Sequence, residues 1–160
     1  MKKILLSVVV GAAAYALATV AYAQAPGYGP DINLDGAKKV AAGAAAEARN
    51  NKWTVVIAVV DTHGELIYLE RLDDTQVASV NIALGKARTA ARFKRPSKAL
   101  QDALAGGGAG LRILQLEGAV AVEGGQPIMM DGKIVGAIGV SGVTAEQDGQ
   151  TARAGAAVVK

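Results

Sequence analysis

The chain has 160 residues, 51% of them hydrophobic and 19% charged, which suits one compact domain with a real core and leaves too little length for two. Seventeen basic residues stand against 14 acidic ones, and cysteine is absent. Disulfide and thiolate chemistry are thereby excluded, and the small charge excess excludes a global nucleic-acid footprint.

Met1-Lys2-Lys3 precede an apolar run from Ile4 to Val20, and Ala21-Tyr22-Ala23 stand before Gln24. A basic start, an apolar stretch and a small-x-small site predict a secretory signal peptide over residues 1–23, cut after Ala23, and hence a periplasmic or secreted protein. The alternative is a membrane anchor, for which about 17 apolar residues is the lower limit. Cleavage leaves 137 of the 160 residues, with 15 basic and 14 acidic side chains and no membrane span. Residues 24–33, rich in proline and glycine, read as an extended leader outside the core of a single domain over 34–160.

Alanines and Val40 recur at helical spacing from Leu34 to Asn50, with Asn33 as N-cap and Asn50-Asn51 as the stop. Trp53 to Val60 is a nearly unbroken β-branched run, the pattern of a strand buried on both faces. The turn Asp61-Thr62-His63-Gly64 returns the chain as a second strand, Glu65 to Arg71. Val77, Val80, Leu84, Ala87 and Ala91 mark a helix between Gln76 and Phe93, and Arg95-Pro96 breaks it. Ser97 is placed to cap a short helix through Leu104, followed by a glycine-rich segment, 105–110, that reads as a mobile loop rather than a phosphate loop. Gly118–Val122 is expected to be a third strand.

The last stretch carries the plainest signals. Pro127–Met130 and Lys133–Val140 flank Asp131-Gly132, which predicts a hairpin closed by a type I′ turn. Thr144 and Gln147 form the pattern of a capping box at the start of a helix that runs to about Val159. Together the elements predict an α/β (α+β) domain with about five strands, mainly antiparallel, flanked by helices.

From Pro127 to Asp148 the chain reads PxxxDGxxVGAIGVSGxTxEQD. Upstream stand Val59-Val60-Asp61 with Gly64 and Leu66, then Arg71, then Lys86-Ala87 with Thr89-Ala90. This ordered set resembles the GlcG/HbpS-like haem-binding family, whose domain also forms the C-terminal part of PduO-type proteins. The resemblance implies a profilin-like sheet of order 2-1-5-4-3, haem as cofactor, and a role in haem capture, storage or redox-linked sensing. A different function on the same fold, an enzyme or carrier for a small organic acid or a corrinoid, stands beside it.

If strand five runs against strand one, Ser141 comes to the rim where Arg71 ends strand two, while Asp61–Gly64 and Asp131-Gly132 gather at the opposite rim. The first rim then assembles Arg71, Ser141, Gly142 and Thr144 at a helix start, bordered by Lys86 and Thr89, as a site for an anionic group. The competing reading pairs Arg71 with Asp148 and leaves Thr144 as a cap only. Six basic residues between Lys86 and Lys98 form either a solvated helix face or a surface for propionates. His63, the single histidine, is one candidate haem-iron ligand, with an exposed, unemployed turn histidine as the alternative, while Tyr68, Met129 and Met130 are candidates more easily explained as strand packing. The resemblance implies Thr89, at a motif position, as an oxygen ligand instead. No nucleophile–histidine–acid set assembles, so a binding protein is favoured over an enzyme. Small-residue stretches in the first and last helices (Ala41–Ala46, Ala152–Ala157) are expected to support a homo-oligomer.

Overall fold

A computed structural model describes residues 25–159; the expected signal peptide lies outside them. The elements are α1 (Leu34–Asn50), β1 (Val56–Val60), β2 (Leu66–Arg71), α2 (Ser79–Arg92), α3 (Ser97–Ala105), a 3-10 helix (Gly108–Gln115), β3 (Gly125–Met130), β4 (Lys133–Ser141) and α4 (Ala145–Ala156). Among the described residues no helix is long and apolar enough to cross a membrane.

The sheet has four antiparallel strands in the order β2-β1-β4-β3, not five. The expected strand at Gly118–Val122 is absent because its backbone is engaged elsewhere: the Val120 amide donates to Thr89 Oγ1 and the Ala119 amide to the Leu116 carbonyl. Helices α2 and α3, rather than a neighbouring strand, are its partners. The rest of the expected order survives, with the two doubly apolar strands at the centre.

All five residues of β1 are buried, and they alternate between two helical layers. Ile57 and Val59 join α1, α4 and Ile138 in the larger cluster, while Val56 and Ala58 pack with Ala83 of α2 and Val60 with Ala87 and Ala90. Gly139 of β4 lies directly under α2, where a Cβ would meet the Ala83 carbonyl and stand 2.5 Å from the Ala87 amide nitrogen. Helix and strand therefore approach closely because this position has no side chain.

Helices α1 and α4 pack on each other. A Cβ on Gly155 would stand 2.7 Å from the Val40 carbonyl oxygen and 3.0 Å from Ala44 Cβ. The small-residue faces are thus used inside the chain, and the expectation of a homo-oligomer loses that support; light scattering of the purified protein measures it directly.

The leader is corrected as well. The Gly29 and Ile32 amides donate to the Ile134 and Val135 carbonyls, so the segment lies along the start of β4, beyond the end of β1. Ile32 is buried in the main core. The glycine-rich stretch is not simply a loop either, since residues 108–115 wind into the 3-10 helix after positive φ angles at Gly107 and Gly108.

Several local signals took the expected form. Asp131 and Gly132 have φ of 50° and 73°, as a type I′ turn requires. Asn33 Oδ1 accepts from the Gly36 amide, and Thr144 and Gln147 close the capping box. Helix α4 ends at Ala156, short of Val159. Thr144→Ala is expected to cost about 1 kcal/mol of stability, the usual loss for such a cap, read from denaturant unfolding. Ser97 does not cap α3: its hydroxyl donates to the Val122 carbonyl and accepts from the Gly125 amide, tying α3 to the start of β3.

Candidate functional site

Antiparallel pairing aligns Arg71, Val56 and Ser141 across three strands, the backbone geometry expected of the first rim. The side chains there are committed to the fold. Arg71 Nη2 donates to the Thr75 carbonyl at 2.6 Å, and Ser141 Oγ donates to Ser79 Oγ at 3.2 Å. Gly142 lies so close to the Thr54 and Val55 backbone that no ligand atom fits between them. Thr144 is occupied by its cap.

Lys86 and Thr89 are one turn apart on α2, and both are buried. Lys86 Nζ donates to Asp148 Oδ2 at 2.7 Å and to the Val140 carbonyl at 3.1 Å, while Asp148 Oδ1 accepts from the Val143 amide. Asp148 therefore pairs with Lys86, not with Arg71. Burial pushes the Asp148 carboxyl above its ordinary pKa, against the opposing pull of Lys86. Thr89 Oγ1 donates to the Gly85 carbonyl while accepting from Val120, so its hydroxyl lies beneath the 118–122 segment. This rim reads as a polar brace that fastens the β4–α4 junction to α2. Its one open part is Arg71, which is exposed and shares a shallow hollow with Arg49, Lys52 and Trp53.

At the other rim the Asp61–Gly64 turn projects His63, whose side chain is 77% exposed. Asp31, at the end of the docked leader, accepts from the Thr62 amide and hydroxyl through Oδ1, at 3.0 and 2.6 Å. Those two bonds, the hydroxyl first, hold the Asp31 carboxyl below its ordinary pKa. The Arg88 and Arg92 guanidiniums reach over from α2 to the Gly64 and His63 carbonyls.

A third location was missed from the residues alone. Between α3 and the 3-10 helix runs a groove of about 500 Å³ lined by Phe93, Leu100, Ile113 and Leu116, with Arg95 and Arg112 among its walls. Neither guanidinium is in an ion pair among the described residues. Leu111 and Leu114 of the 3-10 helix stand exposed, at 52% and 69%. The signal lay in Leu111–Leu116, an apolar run interrupted by Arg112 and Gln115 directly after the glycines. Two guanidiniums beside an apolar slot suit a flat, largely apolar ligand carrying carboxylates.

The family model described as "Haem degrading protein HbpS-like" matches residues 32–157. Protein GlcG of Escherichia coli (strain K12) is 41% identical over 105 residues, which cover 66% of this chain and 77% of that one. The corrinoid adenosyltransferase PduO of Salmonella typhimurium is 31% identical over 118 residues, 72% of this chain but 35% of PduO. Among solved structures, HbpS superposes with a TM-score of 0.76 at 32% identity, covering 82% of this chain and 92% of HbpS. The PduOC:haem complex superposes with a TM-score of 0.73 at 27% identity, covering 81% and 96%. With a matching model across most of its length and the same fold in two such structures, the chain belongs to the HbpS-like family.

Proposed function

We propose that this protein binds haem in the groove between α3 and the 3-10 helix and serves in haem capture or storage outside the cytoplasm. The observation that carries the reading is the chemistry of the groove. Phe93, Leu100, Ile113 and Leu116 offer apolar surface to a porphyrin, and Arg95 and Arg112 offer guanidiniums to its two propionates. Haem, when bound, would supply an iron centre whose redox behaviour depends on the protein groups that hold it. The named lining residues contain no His, Cys, Met or Tyr, so a protein ligand to the iron would have to come from outside them. His63 and Thr89 are the two candidates, and Thr89 requires the 118–122 segment to move away from its hydroxyl.

Haemin added to the purified protein is expected to give a saturable Soret shift with a defined stoichiometry. The double variant Arg95→Glu/Arg112→Glu should weaken binding at least tenfold, since two attractive charge pairs become repulsive. His63→Ala or Thr89→Val should move the Soret maximum if that residue ligates the iron, with little change in affinity for the porphyrin. Spectra indistinguishable from haemin with an unrelated basic protein overturn the reading. The basic–apolar–Ala-x-Ala start supports export with removal of residues 1–23, which a mass measurement on the secreted or periplasmic form tests.

The similarity to PduO favours a corrinoid as the second ligand class. Competition between haemin and cobalamin for the purified protein separates the two, and preference for cobalamin would favour the corrinoid.

A further inference from the structure

Asp31, Asp61 and His63 come from two segments that the fold joins at one point, the end of the docked leader and the turn after β1. A ligand atom from each lies within 4.8 Å of the others. The carboxylates are each held by one oxygen only: Asp31 Oδ1 by Thr62, and Asp61 Oδ1 by the His63 and Glu65 amides, both at 2.8 Å. The second oxygen of each has no hydrogen-bond donor among the described residues. Asp31 Oδ2 stands 4.0 Å from His63 Nδ1.

We propose that Asp31, Asp61 and His63 form a binding site for one divalent transition-metal cation, with water completing its coordination. Carboxylate and imidazole ligands bind such ions at about 2.0–2.2 Å, so ligand atoms around one ion lie roughly 3–4.5 Å apart. The three groups need only small side-chain rotations to reach that spacing. Two carboxylates balance the double positive charge, and the imidazole favours zinc-like ions over magnesium or calcium, which prefer oxygen alone. The nearby Arg88 and Arg92 guanidiniums face Glu65 at 3.9 and 3.3 Å, which offsets their repulsion of a cation. The anchored oxygens matter as well, because a carboxylate already fixed in orientation loses little freedom when it takes a metal.

The experiment uses tag-free protein, in which His63 supplies the only imidazole ring signals in the proton NMR spectrum. Zinc is expected to bind with one-to-one stoichiometry by calorimetry and to shift those signals, while magnesium at the same concentration leaves them in place. His63→Ala and Asp31→Asn should each weaken zinc binding at least tenfold. Asp102→Asn, which alters an exposed carboxylate paired with Lys98, should leave it unchanged. Thermal unfolding of each variant checks that the fold is intact, and His63→Ala, altering an exposed side chain, should unfold as the native protein does. Zinc affinity unaltered by both substitutions, or ring signals indifferent to zinc, overturns the proposal. So does His63→Ala moving the Soret band of the haem-loaded protein without touching zinc affinity, which would assign His63 to haem instead.

Discussion

Methionine in place of Lys86 is expected to lower stability by about 3–5 kcal/mol at neutral pH, the cost of leaving one member of a buried ion pair without its partner. Lys86 is 1% exposed and Asp148 2% exposed, and the pair bridges α2 to the start of α4. Methionine fills a similar volume, so the loss reports the stranded carboxylate more than a cavity. The pH dependence has a definite sign. Burial already raises the folded-state pKa of Asp148 above its unfolded value of about 4, and removing Lys86 withdraws the main opposing influences. A group whose folded pKa is raised contributes stability that is fully present below the unfolded pKa and is lost as pH rises through the folded one. The gap between Lys86→Met and the native protein should therefore be smallest near pH 4 and widen towards pH 7. Denaturant unfolding at both pH values measures it, and a gap independent of pH would show that the carboxylate is not what the lysine stabilises. The double variant Lys86→Met/Asp148→Leu should recover much of the loss at neutral pH.

Gly139→Val is expected to cost about 3 kcal/mol or more, at or beyond the upper end of overpacking penalties, and to prevent folding if the native margin is small. The obstacle is main chain: the new Cβ would meet the Ala83 carbonyl and the Ala87 amide, which no change of rotamer can relieve. Relief requires α2 to lift off β4, breaking the layer that also holds Lys86. Gly132→Ala is the informative contrast, since a Cβ there has no neighbour within 4 Å and meets only the strain of a φ of 73°. That strain is worth about 1–2 kcal/mol. If Gly139→Ala costs less than Gly132→Ala in denaturant unfolding, the close approach of α2 is not a constraint on the fold.

Much of the architecture was legible because it is written in periodicity. The β-branched runs of β1 and β4 identified central strands, and Asp131-Gly132 and Thr144–Gln147 identified their turn and cap, since each depends on residues near in sequence. The misreadings concern partners far apart. Gly118–Val122 has the composition of a strand, yet Thr89, 31 residues before Val120, supplies the acceptor that diverts it. The stretch before α1 looks like a linker, and only Ile134 and Val135 tie its Gly29 and Ile32 to the sheet layer. Lys86 looked like a cation for a ligand because nothing local reveals Asp148, 62 residues away, as its partner. The groove beside the 3-10 helix depends in the same way on α3 meeting a segment whose glycines concealed its helical turn.

The strand order has a further consequence for how copies of this chain can meet. A sheet whose outer strands expose unpaired amides and carbonyls invites another strand to add to it. On one side β3 carries Pro127, which has no amide to donate. Its first amide, on Gly125, is already given to Ser97. On the other side β2 ends in Glu70 and Arg71, with Glu70 held by Arg49 at 2.9 Å. A strand seeking to extend the sheet would meet a missing donor at one border and charge at the other. Two copies of this chain would meet more readily through helices and loops than by growing one continuous sheet, and the chain carries its own resistance to fibre-like stacking.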